Sequence, residues 1–239
     1  MSQTAIITGA GTGIGAGIAI AFANAGMHLV LAGRRTEPLE DTAAQCGDAK
    51  IQIISTDVTD RNDVRSLAEQ TVDAFGSIDI LVNNAGINTN KRNLSDISDE
   101  DWDRVININL TGAFNIFRAV LPQMKTQNNG VVINIASMAG KRASTVGGTA
   151  YSASKFGMAS LNQSINAEFR DNNIRACCIF PGEVDTPILD LRPNPVSDEK
   201  RAAALQPEDV AAAALMVVQL PDRAIVEEIT IFPRQAVSR

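Results

Sequence analysis

Apolar residues along this chain fall into two rhythms. In seven short runs they follow one another with little polar interruption, as in TAIIT, IDILVNN and GVVINIA. Runs of that kind suit strands covered on both faces. They predict strands near 4–8, 28–32, 50–55, 79–83, 130–136, 174–180 and 224–232. Between them, apolar positions recur at helical spacing and predict helices near 14–25, 36–45, 61–75, 100–125, 151–171 and 207–219. Regular strand–helix alternation calls for right-handed crossovers. The expected fold is therefore one Rossmann-like α/β domain over 1–239: a doubly wound, parallel seven-stranded sheet with helices on both faces.

Residues 186–206, TPILDLRPNPVSDEKRAAALQ, break the pattern. Pro187, Pro193 and Pro195 oppose a continuous helix, so the stretch is either a surface loop or a lid over a site. It follows the sixth strand, beyond the carboxyl ends where such sheets bind ligands, and is read as a substrate lid. Met138, Arg142, Val146, Glu183, Ile188 and Leu189 are the candidate pocket residues. Glu183 and Arg142 either meet a polar substrate group or are solvated.

The first strand runs into GAGTGIG and then a helix. Gly9, Gly13 and Gly15 let the turn tighten and the backbone come close to a ligand. The helix start at Thr12 and Ile14 offers unpaired N–H groups and a partial positive charge. Placed after a strand and before a helix, this turn reads as a cradle for the pyrophosphate of a dinucleotide. A second signal lies in YSASK, which holds Tyr151, the only tyrosine, and Lys155. Four positions apart on a helix, the two share a face. A phenol with a pKa near 10 holds its proton at neutral pH, and a nearby ammonium is expected to lower that value. Tyr151 can then act as general base or acid.

Composition narrows the field. A 45% hydrophobic and 20% charged chain is ordinary for a globular protein. The net charge of −6 gives no basic stripe for nucleic acid. No apolar stretch approaches the roughly 18 residues of a membrane span, and no signal peptide pattern is visible. Cys46, Cys177 and Cys178 suit neither a disulfide framework nor a metal site, and lone His28 has no ligand-spaced partner. No metal is expected, and the setting expected is cytoplasmic.

The turn reads T-G-x-x-x-G-x-G, followed in order by NNAG at 83–86, N-x-x-G at 109–112, NIASMAG, YSASK and PGEVDT at 181–186. This ordered set resembles the classical short-chain dehydrogenase/reductase family and spans essentially the whole chain. The resemblance implies hydride transfer between a nicotinamide and a small carbonyl or alcohol, with Asn109, Ser137, Tyr151 and Lys155 as the catalytic set. Ser137 would bond the substrate oxygen, Lys155 would also bond the nicotinamide ribose, and Asn109 would hold a water joining the lysine to solvent. It further implies Asp57 and Val58 along the adenine and Asn83, Ala85 and Gly86 on the adenosine ribose side. Pro181, Gly182, Val184 and Thr186 would lie at the nicotinamide end. Asp57 reads equally as a helix cap, and Pro181–Gly182 as a turn.

Where the resemblance expects an acid for the ribose of NAD, the second strand ends in Gly33, Arg34 and Arg35. An arginine there accommodates the 2′-phosphate of NADP, so NADP(H) is favoured over NAD(H), with Arg34 first and Arg35 in support. Two other functions stay open: reduction of a β-ketoacyl thioester on a carrier, and a catalytically silent NADP(H) sensor. A homodimer or homotetramer is implied by the long helices near 100–125 and 151–171, which pair between subunits in relatives. The ending VEEITIFPRQAVSR lacks the glycine-rich segment of many relatives and puts the tetramer in doubt.

Overall fold

A computed structural model describes residues 2–234. Strands β1 (Thr4–Thr8), β2 (His28–Gly33), β3 (Ile51–Ser55), β4 (Ile80–Asn83), β5 (Gly130–Ile135), β6 (Ile174–Pro181) and β7 (Glu228–Ile231) form one sheet in the order 3-2-1-4-5-6-7. All six pairings are parallel. The helices are α1 (Gly13–Asn24), α2 (Thr36–Ala43), α3 (Arg61–Phe75), α4 (Asp99–Ile106), α5 (Gly112–Gln127), α6 (Thr149–Phe169), α7 (Asp198–Ala203) and α8 (Pro207–Gln219).

Alternation along each strand sends side chains to two helical layers. Ala5 and Ile7 of β1 pack with Ile18 and Phe22 of α1 and Val210, Ala214 and Val217 of α8. Ile6, from the opposite face, joins Val64 and Leu67 of α3 and Ile116, Phe117 and Val120 of α5. The spacing of Val64, Leu67, Ala68 and Thr71 makes one buried stripe on α3. Its start is capped by Asp60, which accepts from the Asn62 and Asp63 N–H groups, and Gly76 ends it with φ +77°.

Two expected boundaries fail. The helix expected over 100–125 is broken by a π-helical turn at Asn107–Thr111 between α4 and α5. The last strand covers Glu228–Ile231 rather than 224–232, and its burial alternates because it lies at the edge of the sheet. The residues from 235 onward lie outside the described range. The 186–206 stretch contains a 3-10 turn (Pro187–Leu191) and α7. Its ends are tied together: Asp185 N–H donates to the Leu205 carbonyl at 2.8 Å, and Leu205 N–H to the Glu183 carbonyl at 2.9 Å.

Buried asparagines stitch the centre of the sheet to α6. Asn83 donates to Asn134 Oδ1 at 3.0 Å, Asn134 donates to Asn162 Oδ1 at 3.0 Å, and Asn162 donates to the Glu227 carbonyl at 3.1 Å. Removing the middle member leaves Asn162 Oδ1 without its partner and Asn83 Nδ2 with only a 3.4 Å bond to the Ala113 carbonyl. Asn134→Ala should lower the unfolding free energy by about 3 kcal/mol, read from urea denaturation. A loss within error would mean that water or rearrangement repairs the gap.

Candidate active site

At the carboxyl edge of β1, the chain turns on Gly9 (φ +64°) and Gly13 (φ +56°), conformations that a side chain resists. A Cβ on Gly15 would stand 2.3 Å from the Gly9 carbonyl oxygen, so the first turn of α1 lies directly against the turn before it. The NNAG motif locks this arrangement. Asn84 Nδ2 donates to the carbonyls of Thr8 (2.9 Å) and Gly9 (3.1 Å), while the Thr8 hydroxyl accepts from the N–H groups of Asn84 (3.0 Å) and Ala85 (3.1 Å). Helix α1 has no side-chain cap from Thr12 and no acid in its first turn, whereas α3, α4, α7 and α8 each carry acids there. Its N–H groups thus face a place that suits an anion.

From this turn a cleft of about 450 Å³ runs across the carboxyl edge. Gly9, Thr12, Gly13, Ile14, Arg34, Arg35, Asp57, Val58, Ala85, Gly86, Tyr151, Lys155 and Thr186 line it, as do Asn84, Pro187, Ile188 and Leu191. Exposed Arg34 and Arg35 form no ion pair among the described residues. Burial works against ionising Asp57. The Thr59 N–H (2.9 Å), the Thr59 hydroxyl (2.7 Å) and the charge of Arg34 outweigh it and hold the carboxyl below its ordinary value.

Several expected contacts lie elsewhere. Asn83 is buried in the asparagine chain, and its neighbour Asn84 faces the cleft instead. Pro181 is buried in β6, the Gly182 N–H donates to the Ile231 carbonyl at 2.8 Å, and Val184 is buried beside Leu205. These three carry the chain round to Thr186, whose Cγ2 would stand 3.0 Å from a Cβ on Gly13. Leu189 packs inward, Ile188 lines the cleft, Met138 is half-buried in a 3-10 turn, and Arg142 and Val146 are exposed. Glu183 is paired with Arg192 at 2.9 Å. Lys141 is paired with Glu228 and lies over the Phe180 ring. His28 stands beside Phe75 with ring centroids 5.2 Å apart.

The four residues read as catalytic converge at one end of the cleft. Ser137 caps the turn after β5, its Oγ accepting from the Ala139 N–H at 3.1 Å. Lys155 is buried and its Nζ donates to the Ile135 carbonyl at 2.8 Å. Asn109 sits in the π turn, where its side chain accepts from the Ile87 N–H (2.8 Å) and donates to the Ile87 carbonyl (3.0 Å) and to Ser154 Oγ (3.1 Å). Ser154 in turn donates to the Tyr151 carbonyl at 2.7 Å. Asn109 thus anchors both the 86–87 segment and the α6 turn that carries Tyr151. Asn84, Ser154 and the buried Arg92 are parts of this architecture that spacing along the chain did not mark.

The electrostatics depart from expectation. Burial raises the Tyr151 phenol above its ordinary value, and the Ser137 hydrogen bond and the charge of Arg92 pull the other way. Lys155 Nζ stands 5.5 Å from the Tyr151 ring centroid. Burial lowers Lys155 itself to about 8, opposed by nearby Cys178.

Parallel doubly wound topology, a glycine turn under an open helix N-terminus, and a serine–tyrosine–lysine cluster across the cleft together define a nucleotide-fold protein. The chain belongs to the short chain dehydrogenase family, whose model matches residues 3–195. It is 38% identical over 234 residues to an uncharacterized oxidoreductase of Staphylococcus saprophyticus, covering 97% of each chain. Its fold matches an alcohol dehydrogenase from the archaeon Thermococcus sibiricus, complexed with 5-hydroxy-NADP, at a TM-score of 0.88, 28% identity and full coverage of both chains. A 3-ketoacyl-(acyl-carrier-protein) reductase of Brucella melitensis complexed with NADH matches at 0.87, with 27% identity over 98% of each chain.

The depressed lysine sets a pH dependence. Below pH 8 Lys155 is charged in both folded and unfolded chains, and folding carries the full cost of burying the ammonium. Between about 8 and 10.5 the folded chain gives up the proton while the unfolded chain keeps it, so stability rises with pH. The unfolding free energy of the wild type minus that of Lys155→Met should therefore climb by about 3 kcal/mol across that window. A flat difference in reducing buffer would show that the ammonium is not desolvated.

Proposed function

We propose that the protein is an NADP(H)-dependent oxidoreductase acting on a small carbonyl or alcohol, with Tyr151 as general acid and base. The observation that carries the reading is a cleft lined at one end by Tyr151 and Lys155 and at the other by Arg34 and Arg35. The residues suit the cofactor: Gly15 leaves no room for a β-carbon, α1 offers N–H groups without an acid, and neither arginine forms an ion pair among the described residues. Gly9, Thr12, Gly13, Ile14 and Gly15 would hold the pyrophosphate. Arg34 and Arg35 would hold the 2′-phosphate, Asp57 and Val58 the adenine, and Ala85, Gly86, Thr186 and Lys155 the remainder. Bound there, NADPH would supply the hydride for the carbonyl carbon and would itself become NADP+.

The chain's own groups then manage one proton. A phenol held protonated by burial is a proton source for the oxygen of a carbonyl undergoing reduction. Ser137, a hydrogen-bond partner of that phenol, steadies the developing oxyanion. In the reverse direction the phenol must first lose its proton, which Ser137 and Arg92 favour. Lys155, fixed by the Ile135 carbonyl, keeps positive charge behind the ring. The complete serine, tyrosine and lysine set argues against a silent sensor. The 186–206 segment acts as a lid in this reading, since Thr186, Pro187, Ile188 and Leu191 border the cleft. Phe114 and Phe156, exposed on α5 and α6, support an oligomer through those helices. Three buried free cysteines fit a reducing, cytoplasmic setting.

Tyr151→Phe should bind NADPH with wild-type affinity by fluorescence, yet lose about 10²–10⁴-fold in turnover across a carbonyl panel. Wild-type turnover in that variant overturns the assignment. Arg34→Asp should cut the NADPH-over-NADH preference in kcat/KM by about tenfold or more. An unchanged ratio removes Arg34 from the 2′-phosphate site.

A further inference from the structure

Arg92 lies in the loop between β4 and α4 and is only 4% exposed. Its Nη1 donates to the Val146 carbonyl at 2.9 Å and its Nη2 to the Leu191 carbonyl, while its Nε is buried without a partner. No carboxylate pairs with it among the described residues. The other deeply buried arginine, Arg175, does have one, Asp222 at 3.0 Å. Backbone carbonyls satisfy donors but bring no negative charge, and a guanidinium held out of water without a counter-ion is costly. Glu183 pairs with Arg192 at 2.9 Å through one oxygen, its Oε1 is buried without a hydrogen-bond partner, and it forms no ion pair with Arg92.

The surroundings place this charge just behind the Tyr151 end of the cleft, whose lining it does not itself join. The Arg92 carbonyl accepts from the Thr149 N–H at 2.9 Å, at the first turn of the helix that carries Tyr151. Gly148 has φ +81°, and a Cβ there would stand 2.5 Å from that of Arg92, so the arginine stem is pressed against the start of α6. On the other side, the carbonyl bonded to Nη2 belongs to Leu191, which borders the cleft together with Tyr151. Leu191 closes the 3-10 turn of the 186–206 segment, and 39% of its surface is exposed.

We infer that Arg92 anchors a carboxylate of the substrate, so that the protein acts on small oxo acids and the matching hydroxy acids. The planar fork of a guanidinium takes a carboxylate through two parallel hydrogen bonds. The substrate carboxylate takes the place that the Leu191 carbonyl now holds and supplies the missing negative charge. The inference rests on the oxidoreductase reading and adds to it the class of substrate.

The test compares kcat/KM for short 2-oxo and 3-oxo acids with that for their methyl esters, followed by NADPH consumption. The wild type should prefer acids by about a hundredfold. Arg92→Met should erase most of that preference, and Arg92→Lys should keep part of it. Arg92→Gln, neutral but still a donor to one carbonyl, serves should the Met variant not fold. If Arg92 is only a strut, its variants lose acid and ester turnover in parallel with the ratio unchanged, which overturns the inference. A wild type that reduces esters as well as acids also overturns it and leaves the oxidoreductase reading intact. If nothing in the panel is reduced, calorimetry with 3-hydroxybutyrate and the NADP+-loaded protein decides. Binding by the wild type that is lost in Arg92→Met sustains the anchor without the chemistry, and binding by neither ends it.

Discussion

The cleft depends on a backbone approach that excludes any β-carbon. Gly15 lies so close to the Gly9 carbonyl that a methyl group there would overlap it at 2.3 Å, and the same Cβ would meet Asn84 Nδ2 at 2.5 Å. Because that approach is possible, α1 begins directly over the end of β1 and leaves its N–H groups open. Because Asn84 and Thr8 cross-link β1 to β4, the two strands flanking the topological switch keep a fixed separation there. Tyr151, Lys155 and Asn109 are set relative to this point. A Cβ on Gly86, two residues past Asn84, would stand 3.4 Å from Asn109 Oδ1 and 3.6 Å from Lys155 Nζ. One steric condition thus ties the nucleotide-like turn to the polar cluster.

A second constraint is electrostatic. Lys155 and Arg92 are both buried, and neither is paired with a carboxylate among the described residues. Each is held by backbone carbonyls, which fix position without cancelling charge. Burial pulls both below their ordinary values, and Arg192 adds to the effect on Arg92. Uncancelled cations of this kind cost stability, a cost that reactive sites often carry. The Tyr151 phenol shows the balance: burial holds its proton on, and Ser137 and Arg92 act to take it off.

Much of this was legible in the residues, for physical reasons. Unbroken apolar runs report strands covered on both faces, so the sheet followed from IDILVNN and GVVINIA. The glycines of the first turn were legible because only close approach and positive φ demand them. What failed depended on contacts between distant segments. The stretch 100–125 has its one proline, Pro122, well past the break, and its one glycine gives no break signal, yet Asn109 engages the backbone at Ile87 and a π turn interrupts the helix. Asn83 and Asn84 are adjacent and identical in type; only the end of β4 decides which enters the core and which faces the cleft. Arg92, within NTNKRN, reads as a solvated loop residue, and its burial arises where residues 92, 146 and 191 meet.

The distribution of charge gives these local facts a common sense. The whole chain carries a net charge of −6, which at long range repels anions. Salt screens that repulsion beyond roughly 8 Å at physiological ionic strength. Much of the acid lies in exposed first turns, as in Asp99 and Glu100 of α4 or Asp198 and Glu199 of α7, where it complements helix dipoles. Within the cleft the order is reversed: Arg34 and Arg35 stand at the β2 end and Lys155 beside Tyr151 at the other, with Arg92 behind that end. Low-dielectric walls concentrate the field of such cations, and the buried ones are little screened. An acidic protein thereby gathers a strip of cations along one cleft, interrupted by the Asp57 carboxylate. A ligand with phosphates toward one end and a carboxylate toward the other would follow that strip.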